Sequence, residues 1–396
     1  MGSLVYLDNN ATTAVDPQVL EAMLPYFKDQ YGNASSLMHS LGRSASAAVE
    51  NSRRQVTELI NAPATDILLF TSGATEAINM VLKGVFEHYQ SIGRHFITCK
   101  TEHKAVLDTF AYLEKKGAEV SYLEVDHLGR LDLEKLESTI RPDTVMMAFM
   151  SANNETGILH PIDDLADIAQ KHDILFFCDA TQSIGKQKID LRQIPIDILC
   201  LSAHKFHGPK GAGALYVRKK NKRIQIGSLL HGGSQESGWR AGTLNVPAIV
   251  GMGKAAELAK AKLDTEIIRL AGLRDKLERM LLTLPQTYIN GQGTNRLPHV
   301  SNVTIRHLRA ASLIPKVPLL CLSTGSACVS GSRDPSHVLM AMGCNPEDAF
   351  SSLRLSLGRF NTEEEIEKAG NQICATVAAL RTESPNWQLF EKGLIP

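Results

Sequence analysis

Apolar runs a few residues long recur through the first half of the chain, and stretches with helical spacing separate many of them. The runs lie at 66–70, 96–99, 120–125, 145–150, 174–178, 196–201 and 214–217, and helical patterns occupy 77–89, 105–116, 133–140 and 162–172. A strand that is apolar at nearly every position is buried on both faces, and the intervening helices cover those faces. The alternation predicts an α/β domain on a mostly parallel, seven-stranded sheet. A short extended segment and polar turn at 4–13, then helical patterns at 17–27 and 44–60, precede it.

The chain has 396 residues, more than one average domain. A long helical pattern at 248–284 leads into a second alternation: strands at 300–305, 319–322 and 353–356, helices at 336–342 and 363–380. This predicts a smaller α+β domain. Lys plus Arg and Asp plus Glu balance at 42 each, with no long block of one sign. General binding to nucleic acid or to an anionic membrane is not expected, and no apolar run is long enough to span a bilayer. The seven cysteines are scattered without a C-x-x-C, so neither a zinc knuckle nor a disulfide framework is expected. The opening residues lack the basic and apolar regions of a secretory signal. A reducing cytoplasm fits this pattern.

Ligands of parallel sheets collect at the carboxyl ends of the strands. The residues with useful chemistry fall there: Thr71, Ser72 and Thr75, then His103, Asn153 and Asn154, Asp179 and Gln182, His204 and Lys205. Lys205 sits at the tip of a turn among His204, His207 and Lys210. Cationic neighbours and a nearby apolar sheet both lower a lysine's pKa, and a neutral amine is what Schiff-base chemistry requires. The small residues from Thr71 to Thr75 open a helix whose free N–H groups suit an anion, or simply form an N-cap. Asp179 closes an apolar run and needs a cation, or caps a turn. His103 precedes a helix, where it can stack on a flat ring and move protons, or serve as a cap. Four glycines between 232 and 242 mark a loop with special backbone angles, and the basic patch at 218–223 reads as a solvated hairpin or strand end. Cys328 lies among small residues, where an exposed thiol is a nucleophile. Arg354, on an apolar strand, can grip a carboxylate or form a structural ion pair.

In this order the stretches resemble the cysteine desulfurases, pyridoxal-phosphate (PLP) enzymes of the aspartate-aminotransferase-like fold. The resemblance rests on Tyr6-Leu-Asp-Asn-Asn-Ala-Thr-Thr13, Thr71-Ser-Gly-Ala-Thr-Glu-Ala-Ile-Asn79, Thr101-Glu-His103, Asn153-Asn-Glu-Thr-Gly157 and Asp179-Ala-Thr-Gln182. It continues through Ser202-Ala-His-Lys-Phe-His-Gly-Pro-Lys-Gly211, Gly325-Ser-Ala-Cys328 and Arg354-x-Ser-x-Gly-Arg-Phe360. The region after Cys328 is similar to the long-loop NifS/IscS-like branch. Ser234 and Ser237 stand where the family usually has a glycine and an arginine.

The resemblance implies a large PLP-binding domain over 15–258 and a small domain from 1–14 and 259–396 that carries the cysteine loop. It implies that Lys205 holds PLP, Asp179 pairs with its ring nitrogen, Gln182 meets the ring oxygen and His103 stacks on the ring. Ala74, Thr75, Ser202 and His204 would bind the phosphate, with Thr243 reaching the site of a partner subunit in a homodimer. Asn154 and Arg354 would hold the carboxylate of L-cysteine. Lys205 and His103 would move protons, and Cys328 would take the sulfur as a persulfide and release L-alanine. No metal is implied. Iron–sulfur assembly and tRNA or DNA thio-modification are the implied destinations, and the chain ends at Pro396 without the scaffold-docking tail of many housekeeping members. Another PLP enzyme of this fold, or a catalytically silent adaptor, are the alternatives.

Overall fold

A computed structural model of the protein describes residues 4–219, 224–324 and 334–394. The strands in chain order are β1 (Val5–Tyr6), β2 (Ile67–Thr71), β3 (His95–Cys99), β4 (Glu119–Leu123), β5 (Thr144–Met150) and β6 (Leu175–Asp179). They continue with β7 (Ile198–Ser202), β8 (Gly213–Val217), β9 (Thr287–Ile289), β10 (Val300–Ile305), β11 (Leu320–Cys321) and β12 (Ser352–Ser356). The main sheet has seven strands in the order β2-β8-β7-β6-β5-β3-β4. All its pairings are parallel except those of β8, which runs antiparallel to both β2 and β7. The reversal follows from the short connection between β7 and β8, which leaves no room for a crossover helix.

β5, β6 and β7 are buried at every position. One apolar layer, including Ile97, Phe149, Phe176 and Leu199, packs on one face against Val49, Val56 and Met252. The other, including Phe96, Phe177 and Leu215, packs against Ile78, Val81 and Phe110. The helices anticipated from 105, 133 and 162 occur at Lys104–Glu114, Leu133–Thr139 and Ile162–Lys171.

The helix Val246–Leu281 runs from one core to the next: Ile249 and Met252 pack in the first, Leu270 and Leu277 in another with Val5, Val303 and Leu355. There β12, β10 and β9 form an antiparallel sheet, and β1 pairs in parallel with β11. The sequence reading did not anticipate β9 or the helices Pro346–Phe350 and Pro385–Glu391, which are too short for a clear period. Arg218 corrects the reading of the basic patch. Its guanidinium donates to the carbonyls of Leu191, Ile194 and Ile196 at 2.7–2.8 Å and closes the loop before β7. Residues 220–223 lie outside the described residues.

Among the described residues no helix is long and apolar enough to cross a membrane. Cys99, Cys178 and Cys200 are buried free thiols in the main sheet, and burial raises the pKa of each well above its ordinary value. They act as small apolar residues.

Candidate active site

A cavity of about 470 Å³ opens at the carboxyl ends of β2, β5, β6 and β7. Its walls include Ala74, Thr75, His103, Asn154, Asp179 and Gln182, with Ser202, His204 and Lys205 on the β7 side. These residues come from separate strand ends, so the topology rather than any local motif brings them together.

Lys205 closes a single 3-10 turn, Ala203–Lys205, that follows β7 directly. Phe206 and Gly208 both donate backbone hydrogen bonds to the Ala203 carbonyl, which fixes the turn. Lys205 Nζ donates to the carbonyl of Asn10 at 2.5 Å and to that of Ala11 at 2.9 Å. The amine is thus held against the N-terminal turn at the cavity wall.

Asn10 belongs to the N-terminal motif at 6–13, which by itself assigns it no role. The residue is almost completely buried. Its Oδ1 accepts from His299 Nε2 at 2.8 Å, its Nδ2 donates to the Asn154 carbonyl, and its N–H donates to Ser356 Oγ. Gln182 Nε2 also donates to its carbonyl. Adjacent asparagines after a short apolar strand were the available signal.

Asp179 ends β6, and its Oδ1 accepts from the Thr181 N–H at 3.0 Å. His103 caps the helix Lys104–Glu114, with Nδ1 accepting from the Ala105 N–H at 3.1 Å. Burial chiefly lowers its pKa; the Lys205 charge adds to this and Asp179 opposes it. The imidazole is therefore neutral near pH 7, and because Nδ1 is an acceptor the proton sits on Nε2.

At the opposite end, β2 feeds the helix Ala74–Tyr89 through Gly73, with no side chain capping the first turn. Free N–H groups and the helix dipole face the cavity there. β8 comes so close that a Cβ on Gly213 would lie 2.5 Å from Gly73 Cα. Glu76 accepts from the Ser72 N–H and is paired with Arg240 at 2.8 Å, which holds its carboxyl below the usual range despite burial.

His204 and His207 do not supply the positive charge anticipated around Lys205. Burial, reinforced by neighbouring cations, pushes both down to about 4, so they are neutral near pH 7. Lys210 does line the cavity.

Asn154 faces the cavity, and its buried Oδ1 has no hydrogen-bond partner among the described residues. Arg354 does not line the cavity. It is buried behind it, donating to Asp8 Oδ1 at 2.8 Å and to the Asn154 carbonyl at 3.1 Å. Arg354 thus makes an ion pair with Asp8 and also touches the backbone of Asn154, whose side chain faces the cavity. Thr243 is exposed and outside this cavity. Cys328 lies outside the described residues.

Two buried carboxyls nearby, Glu102 and Glu155, belong to the motifs at 101–103 and 153–157 but carry no role there. Burial pushes Glu102 up to about 8, and its Oε1 accepts from the Met150 N–H at 2.8 Å. Glu155, also raised by burial, accepts from Ser336 Oγ at 2.5 Å.

The donor set fits PLP. A helix N-terminus suits the phosphate, Asp179 suits a ring nitrogen, and Lys205 supplies an amine. The buried Gln182 Oε1, without a partner among the described residues, marks an unfilled polar contact beside them.

The chain matches the Aminotransferase class-V family over residues 5–369. It is 47% identical to cysteine desulfurase IscS of Anaeromyxobacter dehalogenans (strain 2CP-C), over 98% of this chain and 96% of that protein. Among solved structures, a NifS-like protein superposes with TM-score 0.88 at 38% identity, covering 95% of this chain and 99% of that one. A structure of SspA in complex with cysteine gives TM-score 0.79 at 34% identity, covering 90% and 100%.

Proposed function

This chain belongs to the class-V aminotransferase family, among its PLP-dependent cysteine desulfurases, and on that premise we propose that Lys205 carries the cofactor and Cys328 receives the sulfur of L-cysteine. The carrying observation is the convergence of Lys205, Asp179, His103 and Gln182 on one cavity with the open N-terminus of the helix Ala74–Tyr89.

When bound, PLP supplies an electron sink conjugated to the substrate's amino group. Ala74, Thr75, Ser202 and His204 would hold its phosphate, Asp179 its ring nitrogen and Gln182 its ring oxygen. His103 would lie against the ring and present its Nε2 proton, because Nδ1 is already an acceptor. Asn154 contacts the substrate carboxylate, and Arg354 steadies Asn154 through its carbonyl and adds positive charge behind it. Lys205 and His103 exchange protons with the substrate. The sulfur leaves the Cβ of L-cysteine and becomes bonded to Cys328 Sγ as a persulfide, while that Cβ gains a proton to give L-alanine. The Cys328 proton and the thiol proton of the substrate balance the persulfide S–H and the new C–H.

The sulfur then passes to an acceptor protein for iron–sulfur assembly or nucleic-acid thio-modification. The enzyme works as a homodimer in which Thr243 reaches the partner's phosphate site. Its own exposure supports this, as do the exposed apolar residues Leu20, Leu24, Phe27, Tyr31, Leu37 and Met38 in one early segment. The separate cores support a large domain at 15–258 and a small one from 1–14 and 259–396. The free thiols support a cytoplasmic setting.

The test is sulfide and alanine release from L-cysteine by the wild type and by Cys328→Ser. Loss of both products in the variant supports the assignment; full release refutes it.

A further inference from the structure

Lys186 is a second lysine close to the site, and the mechanism above does not use it. The segment 183–187 forms a turn in which the N–H groups of Lys186 and Gln187 both donate to the Ser183 carbonyl, at 3.0 and 2.9 Å. That turn is pressed against the one that presents Lys205. At Gly185 a Cβ would stand 3.0 Å from the Cβ of Phe206, the residue next to Lys205. Lys186 Nζ is buried there with no hydrogen-bond partner among the described residues.

A buried ammonium left without a hydrogen bond is costly, and here the Nζ is covered although the residue as a whole is half-buried. The groups facing it worsen the cost. Lys205, on the turn after β7, and Arg354, on β12, both act on Lys186 with positive charge. Lys186 in turn weighs on His204 and His207 from that turn and on His299, which precedes β10. Asp16, the nearby carboxylate acting on His207, is committed to Arg359 at 2.9 Å.

We propose that Lys186 is a positioning residue of the active site: a buried amine on the turn packed against that of Lys205, whose positive charge drives the proton off the nitrogen of Lys205. Interaction between like charges is mutual, so whichever of the two amines carries a proton opposes protonation of the other. Burial and the two cations push Lys186 itself down to about 7, so it holds a proton for part of the time near neutrality. This supplies the effect that His204 and His207, being neutral, do not.

The inference rests on the reading of Lys205 as the PLP-bearing residue. The test is a pH titration of the visible band of the PLP-loaded protein, which reads whether the Lys205 nitrogen is protonated. Wild type, Lys186→Met, Lys186→Gln and Lys186→Arg are compared, with thermal unfolding alongside. Both neutral variants should move the midpoint up by about half a unit or more, because a nearby like charge has been removed. Lys186→Arg, permanently charged, should restore the midpoint to the wild-type value or below it. Lys186→Met should unfold at the same temperature as wild type or higher, since it removes a buried charge. If Lys186→Met does not fold, Lys186→Gln carries the comparison. Coincident midpoints in all folded variants, whatever their melting temperatures, would overturn the proposal and leave Lys186 a structural residue. A wild type without the band would instead overturn the Lys205 reading, and this inference with it.

Discussion

Lys205 Nζ donates a 2.5 Å hydrogen bond to the carbonyl oxygen of Asn10, 195 positions earlier in the chain. The amine is aimed by a backbone oxygen whose own position depends on buried side-chain bonds of Asn10 to Asn154 and His299 and on its backbone bond to Ser356 Oγ. The N-terminal turn is thereby part of the site.

Asn10→Ala keeps the carbonyl and the backbone bond to Ser356 but removes the side-chain bonds to Asn154 and His299 that help place it. His299 Nε2 is left buried without its acceptor, which costs about 1–3 kcal/mol of stability. PLP affinity should fall by about tenfold, since a misplacement of a few tenths of an ångström is felt in a preorganised site. Denaturant unfolding and spectroscopic titration with PLP measure the two effects separately.

Gly213→Ala should damage the phosphate end while sparing Lys205. The added methyl meets Gly73 Cα at 2.5 Å, and backbone must shift to admit it. Overpacking of this kind costs about 1–3 kcal/mol. The cofactor should dissociate faster, by about tenfold or more, as read by loss of the visible band on dilution.

Glu102 predicts a pH dependence of stability. Its folded pKa is about 8 against an ordinary 4.5, so the folded state binds the proton more tightly than the unfolded chain. Stability contributed by the protonated carboxyl is complete below 4.5 and is lost as pH rises through 8. Glu102→Gln should flatten that decline, so the variant gains on wild type by on the order of a few kcal/mol between about pH 5 and about pH 9. Urea unfolding at the two pH values reads the difference.

Arg354→Met separates the two roles of that guanidinium. Asp8, whose side chain is 21% exposed, loses its buried partner, a loss smaller than the ~3–5 kcal/mol found when one half of a fully buried pair remains. Asp8→Asn combined with Arg354→Met should recover part of that stability. If Arg354 also supports substrate binding through Asn154, KM for L-cysteine stays raised in the double variant by about tenfold. Stability and steady-state kinetics on the same two proteins check both.

Much of the fold was legible because burial leaves a local trace. β5, β6 and β7 are apolar at almost every position, and each ends in or just before a residue that faces the cavity. Asp179 follows that rule directly, and His103 and Lys205 lie a few residues beyond the ends of β3 and β7. The antiparallel course of β8 left no such trace, because parallel and antiparallel strands share an apolar period. Asn10 and Arg354 were harder for another reason. Their partners, Lys205 for one and Asp8 for the other, lie far away in the chain, and nothing local distinguishes a ligand contact from a structural bond. The charge states of His204 and His207 were misjudged because their burial depends on the same distant packing.

The most direct test of the central claim is to map the sulfur. Wild type, Lys205→Ala and Cys328→Ser, each incubated with L-cysteine and then digested, are compared by peptide mass under conditions that preserve persulfides. The account predicts one added sulfur atom on the Cys328 peptide of the wild type, with alanine formed alongside, and neither in the two variants. Added sulfur on another cysteine, or undiminished alanine from Cys328→Ser, would contradict it.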